Sequence, residues 1–185
     1  MAMKRKVLAG AAAVLAVGGA GAGVAATKLT TNSPSEESKA IVNDAAKSLG
    51  VEPSKLSAAL KKAFEDHLRQ TENHLQRLDQ VFQKLGQSPT AKFCKGMDGL
   101  LKEGQEMMKE KADPDVLDAA LISAAQRVEH YEIAAYGTVR TYANELGDSD
   151  IQRLLQQTLD EEGDTDKKLT RIAESKVNEQ AMKAA

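Results

Sequence analysis

The sequence predicts an all-α protein, a bundle of antiparallel helices that contains a polar layer. Residues that favour helices (Ala, Leu, Lys, Gln and Glu) dominate the 185 residues, while Trp is absent and only four prolines occur. Apolar residues also recur every three or four positions along several long segments, as they do on the buried face of a helix. A chain of this length can bury a substantial core in one domain.

The first 26 residues predict a secretory signal peptide. A basic start (MAMKRK) precedes a run rich in Ala and Gly that ends in Val24-Ala25-Ala26, a small-residue cleavage site. The run is also long enough to cross a bilayer, so an uncleaved N-terminal anchor is the alternative. In both cases we expect the protein to be exported, to the cell envelope or the medium. Any membrane contact is then through this segment, if it stays uncleaved.

Capping and turn residues divide the rest of the chain. Residues 27–35 predict a linker, residues 36–175 the helical bundle, and residues 176–185 a charged tail that frays. A first helix begins at Ser33-Pro34 and ends at Gly50, and its thin apolar face means that it must pack on another element. Four helices follow: from near Pro53 to before Gly86, from about Lys92 to Lys109, from Asp113-Pro114 to Gly147, and from an Asp148 cap to about Ala173.

Three of the long helices carry a seam with steps of three and four, typical of antiparallel neighbours in a bundle. The seams are Phe64, Leu68, Thr71, Leu75, Leu78, Phe82 and Leu85; Leu121, Ala125, Val128, Glu132, Tyr136, Val139, Ala143 and Leu146; and Ile151, Leu155, Thr158, Glu162, Thr165, Leu169 and Ile172.

Two seams contain a carboxylate where an apolar residue belongs. Glu132 lies in the middle of one seam, with Glu129 one turn earlier, and Glu162 lies in the middle of another. A carboxylate in a core must be paired, protonated or bound to a metal, because an isolated buried charge costs several kcal/mol or more. Beside the remaining seam lie His67 and His74, and a single histidine beside a core face is usually structural.

The residues of this layer allow two interpretations. Carboxylates and imidazole from facing helices are the ligand set of a di-iron or di-manganese site in a ferritin-like bundle. A metal would neutralise Glu132 and Glu162 and remove the cost of burying them. The alternative is a metal-free network of hydrogen-bonded Glu, Thr, His and Tyr side chains. Spacing alone leaves both interpretations open.

Charge and cysteine content exclude other functions. After residue 26 the chain has 27 acidic and 22 basic residues (25 − 3) and no basic stripe, which argues against nucleic acid as a partner. Cys94 is the only cysteine, so no internal disulfide forms, and we expect it to be a small residue packed at a helix start. Nucleophilic hydrolysis has no support, because no serine elbow occurs and the thiol lacks an orienting partner.

From about Ala63 to Val177 the sequence resembles the YciE/YciF-type ferritin-like family, a group of uncharacterised or stress-associated bacterial proteins. The resemblance rests on AFEDHLRQTENHLQRLDQVF, GLLKEGQE, DAALISAAQRVEHYEIAAYGTV and LLQQTLDEEGDTDKKLTRIA. It implies a ferritin-like four-helix bundle, with an extra short helix between the second and third long helices, and a homodimer. It also implies a dinuclear site for iron or manganese, with Glu132 and Glu162 as ligands and His74 and Glu129 as further candidates.

The sequence departs from the family pattern at two places. The first-helix position of a bridging Glu falls near Ile41, which cannot bind a metal; Glu37 and Asp44 lie about one turn to either side. Arg69 and Gln70 replace acidic residues. Both departures remove potential ligands. In addition, Met1 to Ala63 resembles the N-terminal part of small exported actinobacterial proteins.

Two functions are consistent with these observations, and the sequence leaves open whether the protein is an enzyme. The first is an exported, stress-associated protein that binds iron or manganese, with peroxide or oxygen chemistry at the metal. The second is a non-enzymatic helical protein that acts through dimerisation or an envelope partner and whose polar layer is metal-free.

Overall fold

The structure, a computed structural model, describes residues 57–89 and 92–185. These residues form four helices, a π-helical turn and a last short helix: α1 (Ala58–Leu85), α2 (Lys95–Lys109), α3 (Pro114–Glu145), α4 (Ser149–Ile172), the turn Ala173–Val177, and α5 (Asn178–Ala184). No strand occurs in this part of the chain. The predicted signal peptide, linker and first helix, with Glu37 and Asp44, lie outside the described residues.

Apart from the start of α1, the predicted ends of the long helices agree with the structure. Asp113 and Asp148 cap α3 and α4, since their carboxylates accept backbone N–H bonds at 2.9 Å and 3.2 Å. Gly86 and Gly147 follow α1 and α3 with φ of 64° and 70°, a left-handed conformation that favours glycine. α1 begins later than the predicted Pro53, because the Ser57 hydroxyl caps it.

The short helix α2 packs against α3 through a close contact at its start. It begins at Lys95, three residues later than predicted, and Cys94 before it is buried with its Sγ 3.0 Å from the Tyr131 hydroxyl. A Cβ on Gly96 would lie 2.8 Å from the Tyr131 ring, so any other residue at this position would displace that ring. Cys94 is thus a buried small residue at a helix start, as predicted.

Two apolar clusters lie at opposite ends of the bundle. One is formed by Leu60, Ile122, Leu169, Ala173 and Val177. The other contains Leu78, Val81, Phe82, Leu85, Tyr136, Val139, Ala143, Ile151, Leu154 and Leu155. On each of α1, α3 and α4, the residues between the two clusters include polar side chains that are buried or, for His67, half-buried, and these make up the polar layer: His67, His74, Glu129, Glu132, Thr158, Glu162 and Thr165.

The buried face of α3 differs from its predicted seam in the first half of the helix. From Glu132 to Ala143 the seam is buried as predicted. Before Glu132, the predicted Leu121, Ala125 and Val128 are only half-buried, whereas Asp118, Ile122, Ala124 and Glu129 are buried. Asp118 is held there by a bond from the Ser57 backbone N–H to its Oδ2 at 3.0 Å.

The end of the chain is helical rather than frayed. The π-helical turn and α5 extend α4 to Ala184, and Ala173 and Val177 are buried in the first apolar cluster. Leu169, Ala173 and Val177 follow one another at steps of four, so one face continues from α4 into the turn. The burial of two apolar side chains orders this segment in spite of its charged residues.

Within residues 57–89 and 92–185, no helix combines the length and the apolar composition that a bilayer span requires.

Replacing Val177 by Asp should destabilise the protein, because the new carboxylate would lie unpaired among Leu60, Ile122 and Leu169. We expect the free energy of unfolding to fall by about 2 kcal/mol or more, measured by urea denaturation. Lys176→Asp is the matched control, since Lys176 is exposed and its change should cost no more than about 0.5 kcal/mol. Equal losses in the two variants would contradict the docking of this segment.

Candidate metal centre

Three helices bring four potential ligands together at mid-bundle. His67 comes from α1, Glu129 and Glu132 from α3, and Glu162 from α4. One ligand atom of each lies within 4.8 Å of the others, and all three carboxylates are buried. We call these four residues the ligand cluster. They converge because each occupies the inward face of a long helix at the same depth, between the two apolar clusters.

Glu162 lies between two imidazoles. Its Oε2 is 3.5 Å from His67 Nε2, and its Oε1 is 3.1 Å from His74 Nδ1. The same His67 Nε2 is 3.3 Å from Glu129 Oε1. With 0% of its surface exposed, Glu162 is the most deeply buried carboxylate of the layer. Among the described residues, the two imidazoles are the only basic side chains within 4 Å of the cluster carboxylates.

His74 is held by a second carboxylate at the edge of the layer. Its Nε2 is 2.7 Å from Glu161 Oε2, and Arg77 binds both oxygens of Glu161, at 2.6 Å and 2.8 Å. The Arg77 guanidinium, bonded to Glu161, lowers the pKa of that carboxyl below its usual value. Arg77 also donates to Thr158. The positive charge of Arg77 is therefore paired with Glu161, which lies outside the ligand cluster.

Burial and mutual repulsion keep protons on the cluster carboxyls of α3. Burial, with the charges of Glu162 and Glu132, raises the pKa of Glu129 to about 10. Burial and Glu162 raise the pKa of Glu132 to about 8. Burial also lowers the pKa of His67 and, with Glu132 and Glu162 beside it, raises that of Tyr136. At neutral pH the α3 carboxyls are therefore protonated unless a cation compensates their charge.

Several oxygens of the cluster have no hydrogen-bond donor. Both oxygens of Glu162 and Oε2 of Glu129 are buried without a hydrogen bond, since the contacts of Glu162 with the imidazoles lack hydrogen-bond geometry. Leaving such groups unpaired costs about 1–3 kcal/mol each, and more for charged groups. Three carboxylates and one imidazole match the oxygen-rich donor sets of manganese and non-haem iron. The residues present therefore fit a divalent cation.

The structure brings three of the four predicted ligands, Glu129, Glu132 and Glu162, into one cluster. The fourth member of the cluster is His67, for which the sequence had predicted a structural role and not a ligand role. His74 lies beside Glu162 but directs its Nε2 to Glu161. Both histidines lie beside the same seam, so the sequence carried no signal to separate them. The difference arises from two neighbours of His74. Glu161 lies on a different helix, α4, and Arg77, which binds Glu161, lies one turn after His74 on α1.

The chain is similar to known proteins over most of its length. A family model described as "Domain of unknown function (DUF892)" matches residues 43–182. Protein YciF of Escherichia coli strain K12 is 44% identical over 123 residues, which are 66% of this chain and 74% of that protein. The crystal structure of the E. coli stress protein YciF has a TM-score of 0.74 at 33% identity and covers 95% of this chain and 97% of its own. The structure of YcfI from Rhodopseudomonas palustris has a TM-score of 0.69 at 34% identity, with 90% and 92% covered.

These similarities confirm the predicted resemblance and the predicted fold, an all-α, ferritin-like bundle, of which the described residues contain three long helices and the short helix α2. They also extend the family region. The match begins at residue 43, so it includes residues before Ala63 that the sequence alone assigned to a different type of protein.

The raised carboxyl pKa values predict that stability falls with rising pH when metal is removed by a chelator. Unfolded Glu132 ionises near pH 4.5, whereas in the folded protein it keeps its proton until about pH 8. Between these two pH values the folded state binds about one proton more than the unfolded state. The free energy of unfolding therefore falls by about 1.4 kcal/mol for each pH unit. The window above pH 7 is the clearest, because unfolded histidine is already neutral there.

Urea denaturation of the parent and of Glu132→Gln at several pH values between 7 and 8 tests this. The amide does not titrate, so the variant should lose less stability per pH unit than the parent. Glu174→Gln makes the same chemical change at an exposed position and should follow the parent. Parallel curves for the parent and Glu132→Gln would contradict the assigned protonation.

Proposed function

Because this chain belongs to the DUF892 family, whose description assigns no function, we propose a function from the site itself: the protein binds iron or manganese at the ligand cluster. The observation that carries the proposal is the pair of Glu162 oxygens, which are buried and form no hydrogen bond although they lie between two imidazoles and two further carboxyls. A divalent cation would supply the missing partner of these oxygens and would displace the protons of Glu129 and Glu132.

His67, Glu129, Glu132 and Glu162 would hold the metal. Iron or manganese in such a site would supply one-electron chemistry towards oxygen or peroxide. The chain contributes three buried carboxyl groups, and the two apolar clusters close the bundle above and below the polar layer. It also contributes His74, which Glu161 and Arg77 hold against Glu162.

A role in stress is consistent with this chemistry. The E. coli relative YciF is described as a stress protein, and a protein that binds iron or manganese could act on peroxide or oxygen under such conditions. We therefore propose that this protein is stress-associated and acts through its metal.

Elemental analysis tests the metal site. The full chain is stripped with chelator, loaded with ferrous iron or manganese and desalted. We expect the parent to retain metal and Glu132→Gln and Glu162→Gln to bind it at least about 10-fold more weakly, because a carboxylate ligand is replaced by a neutral amide. Their helical content should be unchanged. Glu174→Gln, the exposed control, should bind metal like the parent.

Two outcomes would contradict the proposal. Equal metal uptake by the parent and both cluster variants would place the metal elsewhere. A parent that retains no metal would favour the alternative function, a non-enzymatic helical protein with a metal-free polar layer that acts through a second copy of the chain or an envelope partner.

We further propose that the protein is exported, on the basis of the basic, Ala- and Gly-rich first 26 residues. When the full chain is expressed in bacteria, we expect the cell envelope or the culture medium to contain a product that begins at Thr27. Intact mass spectrometry of the cell fractions measures this. A membrane-bound product with its N-terminus intact would support an anchor instead, and full-length protein in the cytoplasm would contradict export.

A further inference from the structure

The side of His67 that faces away from the ligand cluster contacts two polar side chains. Its Nδ1 is 3.0 Å from the Thr165 hydroxyl oxygen and 3.3 Å from Gln70 Oε1. The Thr165 hydroxyl in turn donates to Gln70 Oε1 at 3.3 Å. Thr165 is buried, and Gln70 is half-buried beside it at the surface groove between α1 and α4.

The donors and acceptors of this triangle can be counted. An amide oxygen only accepts hydrogen bonds, and a hydroxyl has a single proton to donate. The contact between Nδ1 and Gln70 Oε1 therefore needs a hydrogen on Nδ1, and the Thr165 hydroxyl, which then faces an N–H, gives its own proton to Gln70 Oε1. In the neutral imidazole the other nitrogen, Nε2, then carries a lone pair.

We propose that Gln70 and Thr165 are positioning residues: they hold the Nδ1–H tautomer of His67, so that the lone pair of Nε2 faces Glu129 and Glu162. The ring nitrogen that points at the carboxylates is then ready to bind a cation without a change of tautomer or a flip of the ring. This inference rests on the proposed metal-binding function for its purpose, but the tautomer itself is a property of the metal-free protein.

Nitrogen-15 NMR of the full chain, labelled at histidine and kept free of metal by a chelator, measures the tautomer directly. The chain has three histidines, and the His67 signals are those that disappear in His67→Gln. At about pH 8, where an ordinary histidine is neutral, we expect Nδ1 of His67 to carry the proton and Nε2 to carry none. A parent with the proton on Nε2, or on both nitrogens, would overturn the proposal.

The double variant Gln70→Leu/Thr165→Val removes both acceptors. We expect its His67 ring to shift to the Nε2–H tautomer, while the backbone fold, followed by circular dichroism, is retained. Thr165→Ser keeps the hydroxyl and is the matched control, with the parent's tautomer expected. An unchanged Nδ1–H tautomer in the double variant would show that the two residues do not hold the ring.

Metal affinity separates this inference from the proposed function. If the parent binds manganese, the double variant should bind it about 10–100-fold more weakly, as is typical when a partner of a ligating histidine is lost. Equal affinities would overturn the role of the pair in metal binding. If the parent binds no metal while the NMR result is as expected, the proposed function fails and the assignment of the positioning pair stands.

Discussion

The concentration of carboxyl groups in the core is the constraint on which the rest of the bundle depends. Glu129, Glu132 and Glu162 lie in the part of a helical bundle where burying an uncompensated charge is most costly. The apolar core is accordingly divided into two clusters with the polar layer between them. Because α1, α3 and α4 pass through both clusters, apolar packing on either side holds the layer in place against its own repulsion.

The two histidines of the layer serve the carboxylates in different ways. His74 is tied to Glu161 and Arg77, and so connects Glu162 to a charged pair near the surface. His67 has neutral partners on its outer side, Gln70 and Thr165, and adds no outer charge to the cluster. The arrangement pairs the arginine charge with Glu161, so the cluster carboxylates have no arginine partner among the described residues.

The polar layer could be predicted from the sequence in part, because two of its carboxylates interrupt the regular apolar seams of their helices. Glu132 and Glu162 interrupt seams whose other members are mostly apolar, and that contrast identifies them without a structure. The role of His67 was not predictable, because it depends on Thr165, which lies 98 positions away in the sequence. The helix at the end of the chain was also indicated by the sequence, in the apolar residues at steps of four from Leu169 to Val177. The many charged residues around them led instead to the prediction of a frayed tail.

The length of α3 has a consequence for the motion of the site. Glu129 lies 15 residues after Pro114 and Glu132 lies 13 residues before Glu145, so both are about 20 Å from the helix ends. Fraying opens the terminal turns of a helix, whereas amide hydrogens in the middle of a packed helix exchange with solvent only through much larger openings. We therefore expect the backbone amides of Glu129 and Glu132 to be among the slowest to exchange within the described residues. A cation bound at the proposed site would meet ligands whose spacing is already set, and only side chains would need to move.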